Sequence, residues 1–210
     1  MIGIIDYGMG NLHSVSSALK RLEYPYVVSE NPEELARAKG LLLPGVGAFK
    51  DAMHSLTESG LKAFILEEAE KGKPLLGICL GMQLLFEESE ENGLTAGLSL
   101  LPGKVERFKG KTEAGKTYKV PHMGWNKLTF HQESPLLENV EEGYVYFVHS
   151  YVVKTNERAI LLATADYDVQ VPAVVGRGTI FGTQFHPEKS STVGMSILRN
   201  FCEMVEEKTS

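Results

Sequence analysis

Three short stretches of this chain carry residue types able to do covalent chemistry at a carbonyl carbon. The first is Gly77-Ile78-Cys79-Leu80-Gly81, a Gly-x-nucleophile-x-Gly pattern with cysteine at its centre. At a strand-to-helix junction this pattern forces the middle residue into a strained backbone conformation and leaves space beside it for glycine alone. The thiol is then expected at the strand's C-terminal end and at a helix N-terminus, whose positive end favours a thiolate. The Leu80 amide would point at a developing oxyanion. The second stretch is Phe185-His186-Pro187-Glu188. A cysteine nucleophile needs an imidazole as acid and base, and a third group to hold the ring. Of His13, His54, His122, His131, His149 and His186, His186 alone has a carboxylate at a useful local spacing. Pro187 biases His186 toward extended geometry, and in an extended segment Glu188 lies on the same side as His186. The third stretch is Leu43-Pro44-Gly45-Val46-Gly47-Ala48-Phe49, where two glycines around one residue let a backbone amide turn toward a ligand.

Each stretch taken alone has a plainer reading. Most free cysteines are small buried hydrophobes, and Cys202, between Phe201 and Met204 in a helical pattern, is read that way. A His-Pro-Glu tripeptide is commonly a surface turn, and Pro-Gly-x-Gly an ordinary strand-to-helix turn. Their joint occurrence is what points to chemistry.

The elements that must position them are legible as apolar patterns. Ile2 to Asp6 ends at glycines and reads as a buried strand. Asn11 caps a following helix with Leu12, Val15, Leu19 and Leu22 on one face. Tyr26-Val27-Val28 is a second strand, Asn31-Pro32-Glu33-Glu34 opens a second helix, and Leu41-Leu42-Leu43 is a third strand. Helical spacing continues through Met53, Leu56, Leu61, Phe64 and Ile65 and is broken at Lys73-Pro74. Leu75 to Ile78 is a fourth strand, running into a helix expected over 80–88. Strands apolar on both faces and alternating with helices predict a parallel sheet covered on both sides. The second half is richer in β signals, at 105–108, 127–130, 144–148 and 179–184, before a closing helix over 190–207. The expectation is one α/β domain over residues 1–210: a mixed, mostly parallel sheet with helices on both faces and additional β structure in the second half.

Composition sets the remaining bounds. At 43% hydrophobic and 23% charged, the chain suits a soluble globular protein with one sizeable core. A net charge of −6 without a basic run gives no surface for nucleic acid. No apolar run approaches the roughly 20 residues that span a bilayer. The first residues lack the basic flank, long apolar stretch and small-residue site of a secretory signal. Two cysteines are too few for a disulfide framework and wrong for a zinc site, so a reducing, cytoplasmic setting and no metal are expected.

Taken in order, the Pro-Gly-x-Gly turn, the cysteine elbow and the His-Pro-Glu segment resemble the class I, triad-bearing glutamine amidotransferases, whose fold is flavodoxin-like. Further stretches resemble one branch of that family, the glutaminase subunits of imidazole glycerol phosphate synthase. They are Asp6-Tyr7-Gly8-Met9-Gly10-Asn11, Gly77 to Gln83, Pro121-His122-Met123-Gly124-Trp125-Asn126, Tyr146-Phe147-Val148-His149-Ser150-Tyr151 and Gln184 to Ser190. The resemblance runs from residue 1 to beyond residue 200. It implies a Cys79–His186–Glu188 triad that hydrolyses glutamine, an oxyanion hole from the Val46 and Leu80 amides, and substrate contacts from Gly47, Gln83, Glu91, Ser150 and Tyr151. It implies no cofactor. It also implies a (βα)₈ cyclase subunit as heterodimeric partner, receiving the ammonia, with Asn11, Trp125 and Lys189 near the interface. From the residues alone Trp125 also fits a core position, and Lys189 a solvated charge.

Three other readings compete with this one. Gly8-Met9-Gly10 after the first strand suggests a dinucleotide fingerprint, but His13 stands where its third glycine belongs. A triad-bearing relative that feeds ammonia to a different acceptor would share all the chemistry, and only the partner-related stretches oppose it. A non-catalytic module that keeps the fold would have no use for an intact triad.

Overall fold

The structure, a computed structural model, describes residues 1–207. Within them the strand–helix alternation of the first half runs β1 (Ile2–Ile5), α1 (Leu12–Arg21), β2 (Tyr26–Ser29), α2 (Pro32–Ala36), β3 (Gly40–Leu43), α3 (Phe49–Glu58), α4 (Leu61–Glu70), β4 (Leu75–Ile78) and α5 (Leu80–Leu84). The helix starts follow their side-chain signals. Asn11 accepts from the Ser14 N–H, and Asn31 from the Glu33 N–H with Pro32 in the first turn.

The second half is mostly strand: β5 (Glu88–Ser89), β6 (Thr95–Ala96), β7 (Lys104–Arg107), β8 (His122–Phe130), β9 (Tyr144–His149), β10 (Tyr151–Lys154), β11 (Leu161–Asp166), β12 (Gln170–Arg177) and β13 (Ile180–Thr183), then α6 (Ser191–Glu207). Nine strands form one sheet in the order β2-β1-β3-β4-β13-β12-β11-β8-β9. From β2 to β13 neighbours pair parallel. From β13 to β9 they pair antiparallel. A second sheet, β10-β7-β5-β6, stands beside it.

The period of two along each strand sorts side chains into two cores. Ile2, Ile4, Leu42, Leu76 and Ile78 pack with Val15 and Leu19 of α1 and Leu198 and Phe201 of α6. Ile5, Leu41, Leu43 and Leu75 pack on the other face with Leu35, Phe49, Leu56, Phe64 and Ile65 of α2, α3 and α4. Both faces are therefore covered, as the doubly apolar strands required.

The elements after Cys79 depart from expectation in part. The helix after Cys79 ends at Leu84 rather than Glu88. The segment after it takes the carbonyls a longer helix would use: Leu98 N–H bonds Leu84 O, Leu100 and Leu101 bond Leu85 O, and Ser99 bonds Phe86 O. Strands β5, β6, β10, β11 and β12 were not foreseen. The last of these is buried across six consecutive residues, so it lacks the alternation that marks a half-buried strand.

Candidate active site

Strands β4 and β13 lie side by side in parallel register, Ile78 opposite Thr183. Cys79 and His186 hang just beyond their C-terminal ends. The Cys79 N–H donates to the Thr183 carbonyl at 2.8 Å, so the last rung of the ladder sets the position of the nucleophile. Cys79 caps α5 with φ 57° and ψ −112°. A cysteine held in this region of conformational space costs about 1–3 kcal/mol, which the surrounding sheet and helix must sustain. The flanking glycines make the turn possible: a Cβ on Gly81 would run into the Leu43 carbonyl, and one on Gly77 into the Gly81–Met82 backbone.

His186 is buried, and its Nδ1 lies 2.8 Å from Glu188 Oε1. The Cys79 side chain, in the same cavity, lies near enough to act on the ring's charge. Burial works against a charged ring here, but the hydrogen bonds and negative charges of Cys79 and Glu188 outweigh it and hold the His186 pKa up at about 10. Among the described residues the buried Glu188 Oε2 has no hydrogen-bond partner, so the carboxylate's hydrogen bonding is directed to His186. His186 is extended, as Pro187 requires, but Glu188 is not in an extended segment: Pro187–Lys189 is a 3₁₀ turn. The turn closes because Lys189 N–H and the Ser190 hydroxyl both bond the His186 carbonyl, at 3.0 and 2.7 Å. Glu188 thus reaches the ring by folding back.

The Pro44–Gly47 turn follows β3 next to the elbow. The Tyr7 hydroxyl, buried against it, donates to the Pro44 carbonyl at 2.7 Å. Burial, and then the nearby Cys79 charge, push the Tyr7 phenol well above its ordinary pKa, so it remains a donor. The Leu80 N–H, expected in an oxyanion hole, donates instead to the Gly45 carbonyl at 3.2 Å. In this conformation the Leu80 N–H is engaged by the protein's own backbone.

A cavity of about 460 Å³ opens over the sulfur, lined by Val46, Gly47, Cys79, Leu80, Gln83, Glu91, Ser150, Tyr151 and His186. Every residue expected from the resemblance to touch substrate is thus in one place. Gln83 lies a helical turn after the nucleophile, its N–H bonding the Cys79 carbonyl at 3.3 Å. Glu91 belongs to the loop after β5, and its carboxylate accepts the Phe49 N–H at 3.2 Å, capping α3 where Ala48 offers no side chain. Arg107, Val148 and His149 also line the cavity and were missed. Nothing near Arg107 in the sequence marks a site. His149 Nδ1 donates to the Tyr151 carbonyl at 2.8 Å, and burial pushes its pKa down to about 3. A larger groove of about 760 Å³ passes Phe130–Glu138, but no cysteine lines it, and the Ser134 hydroxyl there caps a 3₁₀ turn by accepting the Leu136 N–H. Chemistry, not size, selects the site.

Asn11, Trp125 and Lys189 lie outside the cavity and are exposed. Trp125 is 52% accessible, which excludes the core position. Cys202 is fully buried, and burial pushes its thiol up to about 12. Among the described residues no helix is long and apolar enough to cross a membrane.

A doubly covered sheet with a thiol and a carboxylate-braced imidazole at adjacent strand ends defines a class I glutamine amidotransferase. The chain belongs to that family: the glutamine amidotransferase class-I profile matches residues 3–205. Its relatives narrow the branch. It is 70% identical over 208 residues to imidazole glycerol phosphate synthase subunit HisH of Halalkalibacterium halodurans, covering 99% of this chain and 97% of the relative. It is 62% identical to the Bacillus subtilis subunit of the same name, covering 99% and 98%. Among solved structures, a glutamine amidotransferase superposes with TM-score 0.75 at 23% identity over 98% of both chains, a likeness of fold.

Proposed function

We propose that this chain is the glutaminase subunit of an imidazole glycerol phosphate synthase, working as one amidotransferase unit in the cytoplasm. It hydrolyses glutamine to glutamate and ammonia and passes the ammonia to a (βα)₈ cyclase subunit in a heterodimer serving histidine biosynthesis. The observation that carries the chemistry is the buried Cys79–His186–Glu188 constellation under the cavity. The branch rests on relatives 60–70% identical along nearly the whole chain.

Cys79 sulfur attacks the carboxamide carbon of glutamine. The oxygen takes the negative charge, and the His186 imidazolium gives its proton to the departing nitrogen, releasing ammonia and leaving a glutamyl thioester. Water then attacks the thioester. His186 removes the water's proton, and glutamate leaves as the sulfur is regenerated. Glu188 holds the ring and balances its charge. Gly47, Gln83, Glu91, Ser150 and Tyr151 hold the substrate, with no cofactor.

The engaged Leu80 N–H gives the partner a point of control. Rotating the single Gly45–Val46 peptide would withdraw the Gly45 carbonyl from the Leu80 N–H and turn the Val46 N–H inward in its place. One movement supplies both donors, and each is worth about 10²–10³ in rate. The partner's seat is the outer face of the β8–β9 ribbon, where Met123 pairs with Val148 and Trp125 with Tyr146. Met123, Trp125, Tyr144 and Val148 are exposed there, and Val148 also lines the cavity. The exposed Lys189 sits in the 3₁₀ turn that packs against both β9 and α1, the helix that Asn11 caps.

The test is purification with a cyclase subunit and assay of glutamate release with and without the cyclase's nucleotide substrate. Cys79→Ala should abolish glutamine-dependent synthesis and leave synthesis from added ammonia intact. Glutamine-dependent synthesis by that variant would overturn the assignment.

A further inference from the structure

One buried side chain next to the nucleophile has no part in the triad. Gln184 is 1% exposed, directly precedes Phe185-His186, and is pinned by its backbone N–H to the Ala173 carbonyl at 2.9 Å. Its Nε2 lies 3.9 Å from Cys79 Sγ, within hydrogen-bond range for sulfur, and its Oε1 lies 3.1 Å from Gln83 Nε2.

An amide can be turned end for end, so the end facing the sulfur must be argued. The Tyr151 backbone carbonyl can only accept hydrogen bonds. It lies 3.2 Å from the Gln83 side chain, which must therefore present its NH₂ there. That same NH₂ faces Gln184, so the Gln184 atom meeting it is the oxygen. The NH₂ of Gln184 is left pointing at Cys79. A main-chain carbonyl thus dictates, through two amides, that a donor and never a lone pair meets the sulfur.

We propose that Gln184 is a further catalytic residue, whose amide N–H stabilises the Cys79 thiolate, with Gln83 and the Tyr151 carbonyl fixing the direction in which it donates. A donor to the anionic form of a group favours that form. The arrangement also gives Gln83 a second task beyond lining the cavity, since its NH₂ orients Gln184. The inference rests on the proposed function for its meaning, but the sulfur's reactivity is measurable without glutamine.

The experiment is alkylation of the full-length chain with iodoacetamide, followed on the Cys79 peptide by mass spectrometry at pH 6 and pH 10. In Gln184→Met the N–H is gone and the volume nearly kept. At pH 6 the rate should fall about tenfold, the low end for a hydrogen bond to a charged group. At pH 10, where an ordinary thiol is ionised, it should match wild type within about twofold. Gln83→Met keeps Gln184 but frees it to turn, and should slow labelling at pH 6 several-fold with the same recovery at pH 10. Equal slowing at both pH values, or none at either, overturns the proposal, because loss of packing alone would not depend on pH. If Gln184→Met does not fold, the Gln83→Met ratio decides alone. A diazoketone analogue of glutamine supplies the separate control. Labelling of wild-type Cys79 by it with unchanged pH ratios in both variants defeats the Gln184 proposal alone. Failure of the analogue to label Cys79 defeats the glutaminase reading.

Discussion

Replacing Val46 by glycine should switch the isolated chain partly on. The Leu80 N–H is held by the Gly45 carbonyl at 3.2 Å, and freeing it requires the Gly45–Val46 peptide to turn over. That rotation changes φ of Val46 by about half a turn, and Val46 is not among the residues with positive φ in the closed state. The open state therefore places a β-branched residue in the left-handed half of the map, at a cost of about 1–2 kcal/mol that glycine does not incur. Val46 is 43% accessible, so its side chain contributes little packing to offset this. Val46→Gly should raise the open population, and with it basal glutamate release without partner, by about 5- to 30-fold. If partner and nucleotide act by turning this peptide, the loaded complex should gain far less. Coupled glutamate assays on both forms, with a thermal melt as control, measure the effect. A basal rate within twofold of wild type, or an equal gain in both forms, would refute the idea that the Val46 backbone is the barrier.

Glutaminase activity should hold through neutral pH and fall as pH passes about 10, since a raised His186 value keeps the ring charged until then. Glu188→Gln removes one force holding that proton, so the alkaline limb should move to lower pH and kcat drop by roughly 10²–10⁴; an unmoved limb in the pH–rate profile contradicts the brace. Gly81→Ala drives a Cβ into the Leu43 carbonyl and must part β3 from α5. Calorimetry should show about 1–3 kcal/mol of lost stability, with glutaminase abolished. Trp125→Ala should weaken partner binding by about 2 kcal/mol or more, roughly 30-fold in Kd by titration calorimetry. Its melting temperature should stay unchanged, because the ring is half exposed.

The chemistry was legible because it is written in local motifs. The elbow glycines, Pro187 and the cap residues Asn11 and Asn31 act through backbone constraints that spacing alone conveys. Two kinds of feature were not legible. The length of α5 depends on carbonyls claimed by residues 98–101, and the 3₁₀ turn at Glu188 on a hydroxyl of Ser190. Neither competition has a periodic signature. Arg107, His149 and Gln184 reach the site only through sheet pairing or burial, and a lone Arg, His or Gln in a strand-like run looks like any other.

The parallel pairing of β4 with β13 has a further consequence for how the molecule comes into being. Strand β13 sits between β4 and β12, in the middle of the large sheet, yet comes from residues 180–183 while its neighbour β4 comes from residues 75–78. The two halves of the sheet therefore cannot be joined until residues 180–183 are present. Closing so long a loop is slow, and the ladder that positions Cys79 cannot exist before it. Synthesis from the amino end thus delivers the sulfur early and its acid–base partner last, so an unfinished chain has no means of spending glutamine.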